Sequence, residues 1–162
     1  MMRYYSALLI ILVSFWMACS RSSTVTTSEG KVTVSKTGEG AKVKIESEAG
    51  EKAHIEVGES GVSLPKDLPA DMPIYPGSSV VSSATLGENA RLVSLKTNDG
   101  VEKVMDFYDA KLKDNGWEIQ TRVSTQQGNL LQAKKEARHL TVGITRQDKD
   151  TMINLTSATM DR

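Results

Sequence analysis

The sequence predicts an α+β fold: a β-rich N-terminal segment of short antiparallel strands, then an antiparallel sheet with one packed helix in the order ββαββββ. Three observations lead there. Across residues 31–64, aliphatic residues alternate with polar ones at a period of two, the mark of half-buried strands. All four prolines fall within residues 64–77 and divide the chain. Beyond them, one stretch at residues 101–112 changes to helical spacing before alternation resumes.

In the first strand-forming part, Val32 and Val34 alternate with Lys31 and Thr33. Val43 and Ile45 alternate with Lys42, Lys44 and Glu46, and Ile55 and Val57 with His54 and Glu56; Val62 and Leu64 close the series. Thr37-Gly38-Glu39-Gly40, Glu48-Ala49-Gly50-Glu51 and Gly58-Glu59-Ser60-Gly61 supply the turns. The spacing of about 11 residues is a loose repeat, too short and degenerate for a solenoid. Each strand offers only two aliphatic side chains, about 8 in all, which barely offsets backbone ordering. This segment is therefore expected to lean on the C-terminal part of the chain or on a partner.

Pro65, Pro69, Pro73 and Pro76 fix φ repeatedly and disfavour helix at each preceding residue, so residues 65–77 read as a stiff connector and domain boundary. Ile74-Tyr75, held between prolines, is expected to dock into the C-terminal core. Residues 79–85 and 91–97 then read as strands around Gly87-Glu88-Asn89. Val101, Val104, Met105, Tyr108 and Leu112 form one apolar helical stripe. Asp99 with Glu102 predicts a capping box, and Asn115-Gly116 a left-handed stop that folds Trp117 onto Leu112. Four strands complete the chain, marked by Trp117/Ile119/Thr121/Val123, Leu131/Ala133, Leu140/Val142/Ile144 and Ile153/Leu155.

The N-terminus obeys a different logic. After Arg3 comes an apolar span of about 15 residues, shorter than the roughly 20 of a membrane-crossing helix. It ends in Ala18-Cys19-Ser20 and the polar Arg21-Ser22-Ser23-Thr24. A positive start, an apolar centre and a small residue at the cut make a secretory signal. The local pattern resembles the lipobox of bacterial lipoproteins, in which the Cys after a small residue becomes the lipidated first residue. Ala18 and Cys19 match it. Trp16 and Met17 depart from the family's preference for Leu three before the Cys and a small residue two before it. The resemblance implies that Cys19 is the lipid-attachment (palmitate-bearing) residue. Ser20 in place of Asp after the Cys resembles the outer-membrane members in Gram-negative hosts, facing the periplasm. Cys19 is the sole cysteine, so the chain can form no internal disulfide.

The organisation expected is a signal peptide at 1–18, a flexible tether at 19–29, a β-strand segment at 30–64, the connector at 65–77 and an α+β domain at 78–162. The run Asp67-Leu68-Pro69-Ala70-Asp71-Met72-Pro73-Ile74-Tyr75-Pro76-Gly77, with residues 104–108 and Asn115-Gly116-Trp117, resembles a C-terminal domain of assorted uncharacterised bacterial lipoproteins. That likeness covers residues 65–157 and implies no activity.

Composition narrows the function. Acidic and basic residues balance at 20 each, so no cationic excess exists to neutralise nucleic-acid phosphates. Aromatics at 5% are too few for a large stacking platform. His54 and His139 each fall on the polar side of a strand with no second ligand at metal-binding spacing. Ser28-Glu29-Gly30-Lys31, Ser63-Leu64-Pro65-Lys66 and Lys36-Thr37-Gly38 match elements of penicillin-binding enzymes, but none opens a helix as those enzymes require. Gly38-Glu39-Gly40 sits in a hairpin turn, not before a helix. Asp106 and Asp109 are flanked by Lys103 and Lys113 and read as a solvated helix face.

No catalytic, metal or cofactor residue is therefore nominated. The expectation is a lipid-anchored cell-envelope protein that is not an enzyme and acts by binding or assembly. It would contact the membrane through its lipid, and an envelope protein partner through the strand edges of residues 31–64. The alternative expectation is a small apolar or lipid ligand held between helix and sheet.

Overall fold

The computed structural model describes residues 22–27, 30–37, 40–47, 52–58 and 62–160. Among the described residues ten strands and one helix succeed one another: β1 (Ser22–Thr27), β2 (Gly30–Thr37), β3 (Gly40–Ser47), β4 (Lys52–Val57), β5 (Ser79–Leu86), β6 (Ala90–Thr97), α1 (Val101–Asp114), β7 (Glu118–Ser124), β8 (Asn129–Lys135), β9 (Arg138–Gln147) and β10 (Asp150–Thr159). All ten strands form a single antiparallel sheet in the order β1-β2-β3-β4-β5-β6-β10-β9-β8-β7. The chain meanders from β1 to β6, and α1 then carries it to the far edge. The meander β7-β8-β9-β10 returns until β10 pairs with β6. The result is a mostly antiparallel sheet with one helix, a β-rich α+β fold.

The helix starts and stops for different reasons. Its N-cap is Gly100 with no side-chain cap, so the expected Asp99 capping box does not form. The Asp99 carboxylate is taken instead by the Tyr75 hydroxyl at 2.7 Å and Lys103 Nζ at 3.0 Å. The stop is as expected. Gly116 adopts the left-handed conformation with φ 76. Trp117 N–H donates to Leu112 O at 2.8 Å and Gly116 N–H to Lys113 O at 2.9 Å, the Schellman pair of bonds. Val104, Tyr108 and Leu112 are fully buried along the predicted stripe.

Two sequence expectations are corrected. The flexible tether at 19–29 contains a strand: β1 pairs with β2 from Ser22↔Ser35 to Thr27↔Gly30. A Ser/Thr-rich segment shows no hydrophobic period, yet β-branched threonines suit a pleated edge and the ladder is made by backbone groups. The strand segment 30–64 joins the sheet of the C-terminal part, β4 pairing with β5 from Ala53↔Leu86 to Val57↔Ser82, but it ends sooner than the alternation suggests. Val62 and Leu64 lie outside any strand. The chain there crosses the helix side of the sheet, with Ser63 O accepting from Ser83 Oγ at 2.8 Å.

Register shows that the apolar side of the sheet changes over between its halves. On β6, β10, β9 and β8 the helix-side residues are Val93 and Leu95, Ile153 and Leu155, Val142 and Ile144, and Leu131 and Ala133, all buried. Traced across β5 into β4 and β3, that same face carries Ser83, Glu56, His54, Lys42 and Lys44. The aliphatic residues Ala41, Val43, Ile55 and Val57 of β3 and β4 lie on the opposite face. One layer therefore covers the helix side: α1 over β9 and β7, and the proline-rich connector with buried Met72 and Tyr75. Nothing among the described residues covers the other face. No helix among the described residues is long and apolar enough to cross a membrane.

Candidate binding face

The uncovered face holds a trough of about 800 Å³. Gly40 and Ala41 at the β2–β3 end, Gly58 after β4, Ser82 on β5 and Ser94 on β6 give it a low floor, because small side chains leave the pleat unfilled. Val57, Val81 and Met152 supply apolar walls, and among the described residues Lys36 and Lys96 are the only charges in its lining. A register shift between Val80 and Ser82 places a bulge at Val81, and such an irregularity bends its strand and deepens the local twist. Gly58 N–H still donates to Val81 O at 2.9 Å, so the ladder continues beneath the trough. Around it the face stays aliphatic and open: Val57 is 52% exposed, Leu86 42% and Ile45 37%.

The polar clusters lie on the covered face and hold layers together. Glu56, almost buried, accepts from Lys42 Nζ and His54 Nε2, each at 3.0 Å, and from Ser63 N–H at 3.3 Å. Burial pushes its carboxyl up, but the hydrogen bonds from His54, Lys42 and Ser63 outweigh that and hold it below the usual carboxylate range. Asp71 of the connector receives Arg138 through both oxygens and Lys135 Nζ at 2.7 Å. Arg138 is the main reason its carboxyl is held far below the ordinary value. Tyr75, buried and bonded to Asp99, has its phenol pushed up to about 12. Asp109 pairs with Arg122, tying α1 to β7.

Most residues weighed in the sequence prove to be spread apart. Cys19 and Ser28 lie outside the described residues. His54 belongs to the Glu56 cluster, whereas His139 sits opposite Ala158 on the uncovered face. Asp106 is exposed. Among the described residues no group of three or more His, Cys, Asp or Glu is placed to hold a metal ion. The strands of residues 30–64 offer no free edge, since β2, β3 and β4 are each paired on both sides. The free edges belong to β1 and β7, so strand addition through 31–64 is not available as expected. The space between helix and sheet is filled by fully buried side chains, Val104, Tyr108 and Leu112 against Leu140, Val142 and Ile144.

Sequence reasoning missed Lys36, Lys96, Val81 and Met152 as neighbours. Met152 joins them only through the β6–β10 pairing across more than fifty residues and Lys36 only through the β4–β5 pairing, neither of which alternation reveals. The run of small residues at Gly40-Ala41, Gly58 and Ser82 was the available signal.

A family model described as START domain-like matches residues 78–151. That part of the chain is similar to this family. The match runs from the start of β5 through α1 to the beginning of β10, and so includes β5, β6 and α1 but not β1 to β4. The likeness is compatible with a ligand-binding fold. No curated protein and no solved structure matches the chain.

Proposed function

We propose that this chain is a non-catalytic binding protein of a bacterial cell envelope, held to the membrane by lipid on Cys19 and binding a ligand on its open sheet face. The observation that carries the binding is the uncovered aliphatic face with its trough of about 800 Å³, within the roughly 300–1,000 Å³ typical of small-molecule sites. The START domain-like match supports a ligand-binding fold. The lipobox-like Ala18-Cys19 supports the anchor and an exported location, with Ser20 favouring the outer membrane of a Gram-negative host. An acyl chain contributes about 0.8 kcal/mol per buried methylene, and several chains on one residue make detachment negligible. The ligand occupies the open face, because entry between α1 and the sheet would require displacing fully buried side chains.

Native mass spectrometry of the protein released gently from membranes tests this reading. The expected spectrum shows the acylated chain with additional non-covalent mass, which Val57→Asp removes. A bare polypeptide, or bound mass that Val57→Asp leaves unchanged, would overturn it.

A further inference from the structure

We infer that the ligand of the open trough is a single-chain anionic amphiphile, a long-chain carboxylate, lying across the strands with its head paired to Lys36 or Lys96. The inference rests on the binding reading above and specifies the chemistry of that site. The walls are aliphatic and no aromatic ring of a described residue lines them, which disfavours sugars and bases. A peptide finds no purchase either. The trough lies on a sheet face where backbone groups are spent in the ladders between β2, β3, β4, β5, β6 and β10, leaving none for an incoming main chain. A hydrocarbon chain needs no such partners.

Charge and size favour the same ligand. Lys36 and Lys96 form no ion pair with a described residue, and among the described residues no carboxylate lines the trough. Beyond Lys96 a smaller recess adds Lys149, beside Asp150. From β2 to β10 the trough crosses five strand spacings, roughly 24 Å at about 4.8 Å each. One acyl chain spans about half of a ~30 Å bilayer core, roughly 15 Å, so the trough accepts one chain with its head at either lysine. Ser22 of β1 pairs with Ser35, the neighbour of Lys36, so the Lys36 end lies beside the start of β1, three residues after Cys19. An anchor there sets the trough next to the membrane that supplies the amphiphile.

The test uses the full processed protein in phosphatidylcholine vesicles, irradiated with palmitate carrying a diazirine at its methyl end, with crosslinked peptides mapped by mass spectrometry. Labelling is expected on the peptides bearing Ala41, Val57, Val81 and Met152. Hexadecanol with the same diazirine should label them roughly two- to fivefold less, since the head pairs with one lysine at a time and one solvent-exposed charge pair is worth that much. The palmitate preference should vanish in Lys36→Gln/Lys96→Gln, whose surface positions leave folding intact by circular dichroism. Labelling confined to α1 and β9, crosslinks only between copies, or equal labelling by both probes would each overturn the inference. Absence of labelling with Cys19 acylated also overturns it while leaving the anchor standing; an unacylated Cys19 counts against the anchor alone.

Discussion

Asp71 grips Arg138 with both carboxylate oxygens, at 2.7 and 2.6 Å, joining the proline-rich connector to the start of β9 across 67 positions of sequence. The grip is part of a larger clip. Asp71 O accepts from Trp117 Nε1 at 2.9 Å and Asn115 Nδ2 at 3.1 Å. Lys135 Nζ reaches both Asp71 and Asn115 O at 2.7 Å, and Arg138 lies 5.1 Å over the Trp117 ring. Connector, helix stop and β8–β9 turn are thereby fastened at one point. A bidentate Arg–carboxylate pair fixes geometry as well as energy.

Asp71→Asn keeps the shape and removes the charge, leaving Arg138 and Lys135 without their anion. Hydrogen bonds to charged groups contribute about 1.5–3 kcal/mol, and partial exposure trims that, so a loss of about 2 kcal/mol is expected. Urea titration should show a lower midpoint at unchanged slope.

Stability should fall at both ends of the pH scale. The Asp71 and Glu56 carboxyls are held below their ordinary 3.8 and 4.5, so each stabilises the fold above those values and ceases to as pH drops through and below them. Tyr75 is the opposite case: raised from 10.0 to about 12, it stabilises fully below pH 10 and loses that contribution as pH climbs towards 12. Denaturation midpoints measured across pH should show a plateau between, with the acid limb shallower in Asp71→Asn.

Tyr75→Phe isolates the hydroxyl. The ring contact with Phe107, edge-on at 5.0 Å, survives, whereas the bond to Asp99 is lost. A smaller midpoint shift than for Asp71→Asn is expected, together with a weaker alkaline limb and an unchanged far-ultraviolet spectrum.

Gly116→Ala tests the helix stop. A Cβ there would meet only the end of the Lys135 side chain, with Cε at 3.8 Å, so space is not the obstacle. The left-handed φ of 76 is, and alanine should lose about 1 kcal/mol. Thermal melting of the two proteins reads the difference.

Local chemistry was legible where one element carried its own signal. The stripe ending at Leu112, the Asn115-Gly116 stop and the alternation in β2, β3 and β4 could all be read from spacing. Features that depend on distant partners could not. Asp99 has the spacing of a cap, but Tyr75, 24 positions earlier, takes its carboxylate. β1 shows no hydrophobic period because its partner supplies the ladder. The change of apolar face between β4 and β6 requires the strand order, since alternation gives period and not side. Asp71 and Asn115-Gly116-Trp117 were visible in the sequence as a pattern, and the clip supplies its physical meaning.

The proposed membrane anchor and exported location rest on lipid at Cys19. Cells fed labelled palmitate and then fractionated, wild type beside Cys19→Ala, test this most directly. The wild type is expected labelled in the membrane fraction and shortened by its signal, and the variant unlabelled. A wild-type protein found unlabelled in the cytosol, with residues 1–18 still attached, would contradict it.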